Sequence, residues 1–430
     1  MKKISHFIFY ICFAVILYVP FHAVISTFFI SIAGGKLPIK GVKDLLILLT
    51  LLPLLVGIYV NRKKIKIEHK ALWLLLLAFM ELAIFYALLI EAPTVQKIAG
   101  LIVQLRHFGF FIICYLGALL LEKKFSTSSR LIRLTVLCSF VVVAFGAMQV
   151  LFLPNDFLKI FGYGPTTIAP YQTIDSNESF VRIISTLRGP NSLGAYLAMM
   201  APLAIGYISS AKNRKNWLWA LYAGAFLVTL YASYSRSAWI GFGVGLIIYF
   251  YLTSKNKKII GWVLSVFAVI GASAFLLRST TFVQTTLLHR DPAEASEINS
   301  DDQRISSIKT AINLVNQKPL GHGIGSSGPA SNYGNSPYII ENHYLDLAYQ
   351  LGWVGLALSL SVTAYVGYLL IKLKTKLAYA HFAGLIAVSV IAMFWPVWSD
   401  ETVALIWWGM AGFIISRTAV EANRKELSKK

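Results

Sequence analysis

The chain has 430 residues, 57% of them hydrophobic and only 13% charged, with a mean hydropathy of +0.66. A water-soluble protein of this size cannot cover so much apolar surface, so the composition excludes a soluble enzyme and makes the bilayer part of the solvent. The net charge of +20 raises nucleic acid as a partner, but the placement of that charge excludes it.

Hydrophobic runs long enough to cross roughly 30 Å of hydrocarbon as a helix recur along the whole length. They predict spans at 7–33, 42–60, 71–90, 99–121, 131–153, 191–210, 217–234, 237–252, 259–277, 344–371, 379–396 and 401–417. Strand-length alternation is absent, which excludes an outer-membrane barrel. The first run follows Met1-Lys2-Lys3. It is too long for the apolar core of a signal peptide, and no small-residue cleavage site precedes Gly34, so it reads as an uncleaved first helix.

In the third span Glu81 lies at mid-depth, and in the fourth Arg106 and His107 lie in the outer half. Ionisable groups there are costly and mark either function or a structural ion pair. Glu81 and Arg106 are expected at similar depth, where they could pair. Cys12, Cys114 and Cys138 all fall inside spans, which leaves no disulfide framework and no cysteine metal site.

Connections are short except at 154–190 and 278–342, and long loops in compact proteins commonly carry function. The first contains the tripeptide Asn177-Glu178-Ser179, a chance-level glycosylation sequon, and closes on Arg182, Arg188, Gly189, Pro190 and Asn191. The tight turn between the seventh and eighth spans reads Tyr234-Ser235-Arg236-Ser237-Ala238-Trp239. In the second loop Ile305, Ile308, Ile312 and Val315 follow helical spacing, predicting an amphipathic surface helix over 303–316 that Arg304 opens and Pro319 ends. Gly323-Ile324-Gly325-Ser326-Ser327-Gly328 matches the dinucleotide pattern G-x-G-x-x-G only literally, because no βαβ unit surrounds it; a flexible turn is expected instead. The loop ends in Glu341-Asn342-His343-Tyr344-Leu345-Asp346, running to Gln350-Leu351-Gly352-Trp353.

Most of the 39 Lys and Arg residues cluster on alternate connections, at Lys2–Lys3, 62–70, 123–133, 212–215, 255–258, 372–376 and the tail after Arg417. The positive-inside rule puts those connections and both termini in the cytoplasm, and the two long loops on the outer face. The charge therefore sets topology and implies no nucleic acid. Arg182, Arg188, Arg236 and Arg304 are then outer-facing, and arginine's planar fork suits a pyrophosphate. His343, at the mouth of the tenth span, is expected to be solvent-reachable and able to titrate near neutral pH, as a general base requires. Helix capping is the plain alternative for it.

At these residues the sequence resembles the O-antigen ligase and O-antigen polymerase superfamily. The similar features are Ser235-Arg236-Ser237-Ala238-Trp239 with Gly241, Arg304 ahead of Pro319-Leu320-Gly321-His322-Gly323-Ile324-Gly325, and Asn342-His343-Tyr344-Leu345 with Gly352. The resemblance is specific over 185–360, and the twelve-span plan extends it. It implies a metal-independent, inverting, C-type-like membrane glycosyltransferase that moves a glycan from a polyprenyl pyrophosphate to an acceptor hydroxyl. In that setting Arg236 and Arg304 stabilise charge on the leaving pyrophosphate, a large contribution in such catalysis. Ligases of the family read His-Asn-x-x-Leu, whereas here Glu341 holds the His slot and His343 follows two residues later. Two residues turn a helix by about 200°, so the two side chains cannot face one site if the segment is helical. The base is either His343, the preferred candidate, or Glu341. Gln350 stands where the family often has an acidic residue.

The resulting expectation is an all-α polytopic bundle of about twelve spans, one membrane domain over 1–430, with outer loops at 154–190 and 278–342. The catalytic candidates are His343, Glu341, Arg304 and Arg236, and the substrate-binding candidates Arg188, Arg182, Asn191, Asn342 and Arg106. No metal or cofactor is expected. The expected partners are a polyprenyl-pyrophosphate-linked donor, a glycan or lipid acceptor and the bilayer. The rival expectation is a transporter or flippase of an anion or lipid-linked oligosaccharide, which requires charged groups along a mid-membrane path.

Overall fold

The computed structural model describes residues 2–33, 41–62, 68–121, 127–174, 177–210, 216–288, 300–334 and 337–427. Its helices are α1 (Lys2–Tyr18), α2 (His22–Ile32), α3 (Val42–Leu49), α4 (Leu51–Asn61), α5 (Lys70–Leu89), α6 (Thr94–Leu119), α7 (Thr127–Leu151) and α8 (Pro190–Ser210). They continue with α9 (Asn216–Ala232), α10 (Arg236–Thr253), α11 (Lys258–Leu276), the single turn α12 (Thr281–Val283), α13 (Ser300–Gln317), α14 (His343–Lys372), α15 (Lys376–Ile391) and α16 (Glu401–Leu427). Among the described residues the sheet is a two-stranded hairpin, β1 (Gln172–Ile174) against β2 (Asn177–Arg182), with Gln172 opposite Arg182.

Nine helical stretches among the described residues are long and apolar enough to cross a bilayer, and Trp217–Ala232, Lys376–Ile391 and Glu401–Ser416 are shorter apolar helices. These are the segments that the hydrophobic runs predict, and the chain is an all-α polytopic membrane protein. Small residues let the helices approach closely, since apolar burial drives little association within lipid. A Cβ on Gly412 of α16 would lie 2.7 Å from the Phe111 carbonyl of α6. On Gly384 of α15 it would lie 2.9 Å from the Met199 carbonyl of α8. The buried Trp407 and Trp408 fill the centre, Phe108 meeting Trp408 edge-on at 4.8 Å. In contrast, α11 has no buried residue and packs on α10 alone to any extent.

One end of the bundle, the loop end, gathers the turn after α5, the hairpin, the turn before α10, residues 318–334 and 337–342 and the α15–α16 turn. There α14 breaks at Gly352, whose φ of +69° lies in the left-handed region. The break takes the Trp353 N–H away from the helix, and it donates to the Pro319 carbonyl at 3.1 Å instead. The carbonyls of Tyr349 and Gln350 accept from the N–H groups of His322 (2.6 Å) and Gly323 (2.9 Å). The glycine segment is therefore a fitted cap on a broken helix, not the flexible turn expected from composition. Gly321, Gly323, Gly325 and Gly328 all have positive φ, and a Cβ on Gly321 would come within 2.5 Å of the Gly352 nitrogen. Beneath it, the buried Asp346 carboxylate accepts from Ser327 Oγ and, at 3.1 Å, from Gln350 Nε2, while Gln350 Oε1 accepts from the Gly325 N–H at 2.9 Å.

The surface helix is present as α13, but its buried stripe differs from the expected one. Ala311 and Val315 are buried, whereas Ile305 is 52% and Ile312 38% exposed. Ile308 is half-buried, so the 308 and 315 part of the expected stripe faces inward with Ala311 between them, while 305 and 312 turn outward.

Candidate active site

At the loop end the α15–α16 turn (392–400) joins two groups of side chains. On one side it receives the start of α14: the His343 N–H donates to the Ala392 carbonyl at 2.9 Å. Asn342 caps that helix, its Oδ1 accepting from the Leu345 N–H (3.0 Å) and its Nδ2 donating to the Met393 carbonyl (2.8 Å). On the other side Asp400 caps α16, accepting from the N–H groups of Thr402 (3.0 Å) and Val403 (3.2 Å). The same carboxylate accepts from Ser192 Oγ at 2.6 Å. Side-chain acceptors at a helix N-terminus satisfy N–H groups that have no intrahelical partner.

Next to Ser192, Asn191 Oδ1 accepts from Arg182 Nη2 at 2.7 Å, and Arg182 Nε donates to the Ser233 carbonyl at 3.1 Å. Ser233 opens the turn whose end is Arg236, half-buried as the first residue of α10. Arg182, Asn191 and the Arg236 turn thus form one unit. Arg236 also stands at a helix N-terminus, where the backbone dipole favours an anion. Arg188 is exposed at the close of the first loop. Arg304 lies in α13, one helical turn before Ile308 and in register with it; its side chain lies outside what the structure describes.

Ile308 and Ser307 border a shallow recess whose remaining wall is Ile340, Glu341, Asn342, Met393 and Phe394. Glu341 is exposed there. His343 is not solvent-reachable as expected: the residue is only 6% exposed. Its Nδ1 has no hydrogen-bond partner among the described residues, and neither has that of the buried His107. The helical start of α14 turns it inward, while Glu341, ahead of the extended Asn342 cap and outside the helix, stays exposed, so the 200° helical argument does not apply to this pair. Asn342, by contrast, has its amide committed to the cap.

Arg106 does not pair with Glu81, which is exposed on α5. Its Nη1 lies 3.1 Å from Glu401 Oε2 and 3.6 Å from Asp44 Oδ1. Glu401 further holds Lys43 Nζ at 2.9 Å and His22 Nε2 at 3.1 Å, and Lys43 reaches Asp44 at 3.3 Å. The expected depth match did not select the partner; helix adjacency did, since α6 packs along α16. Sequence reading passed over His22, Lys43, Asp44, Glu401, Ser192 and Asp400. The available signal was charge at the edges of the second and last apolar runs, where Lys43-Asp44 and Asp400-Glu401 stand.

No curated protein matches the chain. A family model described as O-antigen ligase matches residues 221–360, a segment that contains Arg236, Arg304, the glycine cap, Glu341 and His343. That match, on an all-α polytopic frame, supports the O-antigen ligase superfamily for this chain.

Proposed function

We propose that the protein transfers a glycan from a polyprenyl pyrophosphate to an acceptor hydroxyl on the outer face of the cytoplasmic membrane, as a ligase or polymerase of surface polysaccharide. The observation that carries the reading is the coincidence of the ligase match over 221–360 with an arginine-bearing loop end. Among the described residues the opposite end carries Lys255, Lys257, Lys258, Lys372, Lys374 and Lys376, which supports a cytoplasmic position for that end and, by chain order, for both termini.

Outside the cell no nucleotide sugar is at hand, so the donor arrives activated on its lipid. The acceptor oxygen attacks the anomeric carbon from the face opposite the leaving group. Its proton passes to a base as the C–O bond to pyrophosphate breaks, and the bonding pair leaves with the pyrophosphate. Arg236, at the N-terminus of α10 and beside the Arg182–Asn191 pair, and Arg304 of α13 stabilise that charge. Burial favours Glu341 over His343 as the base, because a base must come within hydrogen-bond reach of the proton it takes, and Glu341 is exposed whereas His343 is buried. His343 sits behind it and positions the start of α14. The transporter reading needs charges along a path, whereas the buried charges of Lys43, Arg106, Asp44 and Glu401 engage one another.

The test is transfer in liposomes holding the purified protein, with lipid-linked glycan extracted from cells that lack the gene and the product read by mass spectrometry. Arg236→Ala and Glu341→Gln are each expected to lose about 10²–10⁴-fold in rate while the protein still elutes as a folded species. Unchanged transfer in both variants rejects the site, and absence of any transfer by the parent protein rejects the function.

A further inference from the structure

Beside the glycine cap the surface opens into a second cavity of about 500 Å³, within the range of small-molecule sites. The turn after α5 supplies Glu91, α6 supplies Gln96, α13 supplies Leu314, and Ser326, Tyr338 and Tyr349 complete the named lining. The cavity is a built feature. Tyr349 is backed by His322, whose ring lies parallel to it at 4.0 Å and 9°. Tyr338 approaches at 5.4 Å and is held by its own N–H to Ser331 Oγ (3.0 Å) and by the Gly328 N–H to its carbonyl (2.8 Å). Gln96 Nε2 donates to the Gly325 carbonyl at 2.9 Å, tying α6 to the cap.

Its chemistry differs from that of the arginine cluster. Among the described residues lining it the charged side chain is Glu91, which repels a pyrophosphate. Two tyrosine rings with a carboxylate and an amide beside them suit a ligand with an apolar face and a hydroxyl-bearing edge. We propose that this cavity binds an uncharged sugar unit of a glycan substrate, with its C–H face on the tyrosines and its hydroxyls donating to Glu91. The proposal rests on the reading above only for the source of that sugar, which is either the donor chain or the acceptor glycan.

Saturation-transfer NMR on the purified full chain tests it with two probes. One is neutral oligosaccharide released by mild acid from the lipid-linked pool of cells lacking the gene. The other is oligosaccharide from the surface glycan of the same cells. Transfer to the first probe identifies the donor chain as occupant, and transfer to the second alone identifies the acceptor. Tyr338→Ala and Glu91→Gln are expected to weaken binding about tenfold or more, with Tyr338→Phe and Glu341→Gln retaining it. Glu91 is exposed, so Glu91→Gln reports on binding without threatening the fold. No saturation transfer to either probe, or binding undiminished in Glu91→Gln and Tyr338→Ala, overturns the proposal. Activity of Arg236→Ala in the liposome assay bears on the function separately.

Discussion

Replacing Glu401 by alanine separates a structural ion cluster from a transport path. In the native protein its carboxylate receives Lys43 at 2.9 Å, Arg106 at 3.1 Å and His22 at 3.1 Å. The side chains of Lys43 and Arg106 are 4% and 9% exposed, so solvent cannot replace the lost anion. Removing one partner of a buried pair costs about 3–5 kcal/mol because a charge is left uncompensated. Asp44 stays within 3.3 Å of Lys43 and 3.6 Å of Arg106, which puts the expected loss near the lower bound, about 3 kcal/mol. By the entropy of unfolding of a chain this long, the midpoint should fall by roughly 3–6 °C in detergent. Glu401→Ala with Lys43→Met should recover part of that loss, because the second change removes the stranded cation. The assay is thermal unfolding beside glycan transfer at a temperature where both variants are folded. An unchanged midpoint, or no recovery in the double variant, refutes the argument.

The cap on α14 gives a second expectation. Gly321→Ala forces a side chain into left-handed backbone, which costs about 1–3 kcal/mol, and against the Gly352 nitrogen at 2.5 Å; proteolysis within 318–328 should become faster, and an unaltered digestion pattern would contradict the packing. His322 supplies the pH dependence. Burial holds its pKa below the ordinary histidine value, so the unfolded chain takes up the proton first as pH falls. Stability from this group is thus full above about 6.5 and declines as pH drops below it. His322→Phe should flatten the fall in thermal midpoint between pH 7 and 5, and an equally steep fall in the variant would contradict it.

The spans were legible because hydrocarbon thickness fixes the length of an apolar run, whatever the neighbours. What decides a partner was not. Glu81 and Arg106 were expected at similar depth, yet Arg106 turns toward α16, whose Glu401 stands at the very edge of an apolar run. Gly352 was visible as a glycine inside a span, but its meaning depended on a loop some thirty residues earlier. The same holds at the site. The helix start fell two residues later than the argument about Glu341 and His343 needed, at His343 itself, and which side chain turned inward depended on the Ala392 carbonyl and on Met393, which no local pattern reveals.

The bend at Gly352 also restricts how substrate is admitted. Lifting the 319–323 segment would strip donors from the carbonyls of Tyr349 and Gln350, and a buried carbonyl left without a donor costs about 1–3 kcal/mol. That segment consequently behaves as a fixed doorpost, and the wall it shares with α14 cannot serve as the gate. Whatever parts to admit the proposed lipid-linked donor lies elsewhere on the rim.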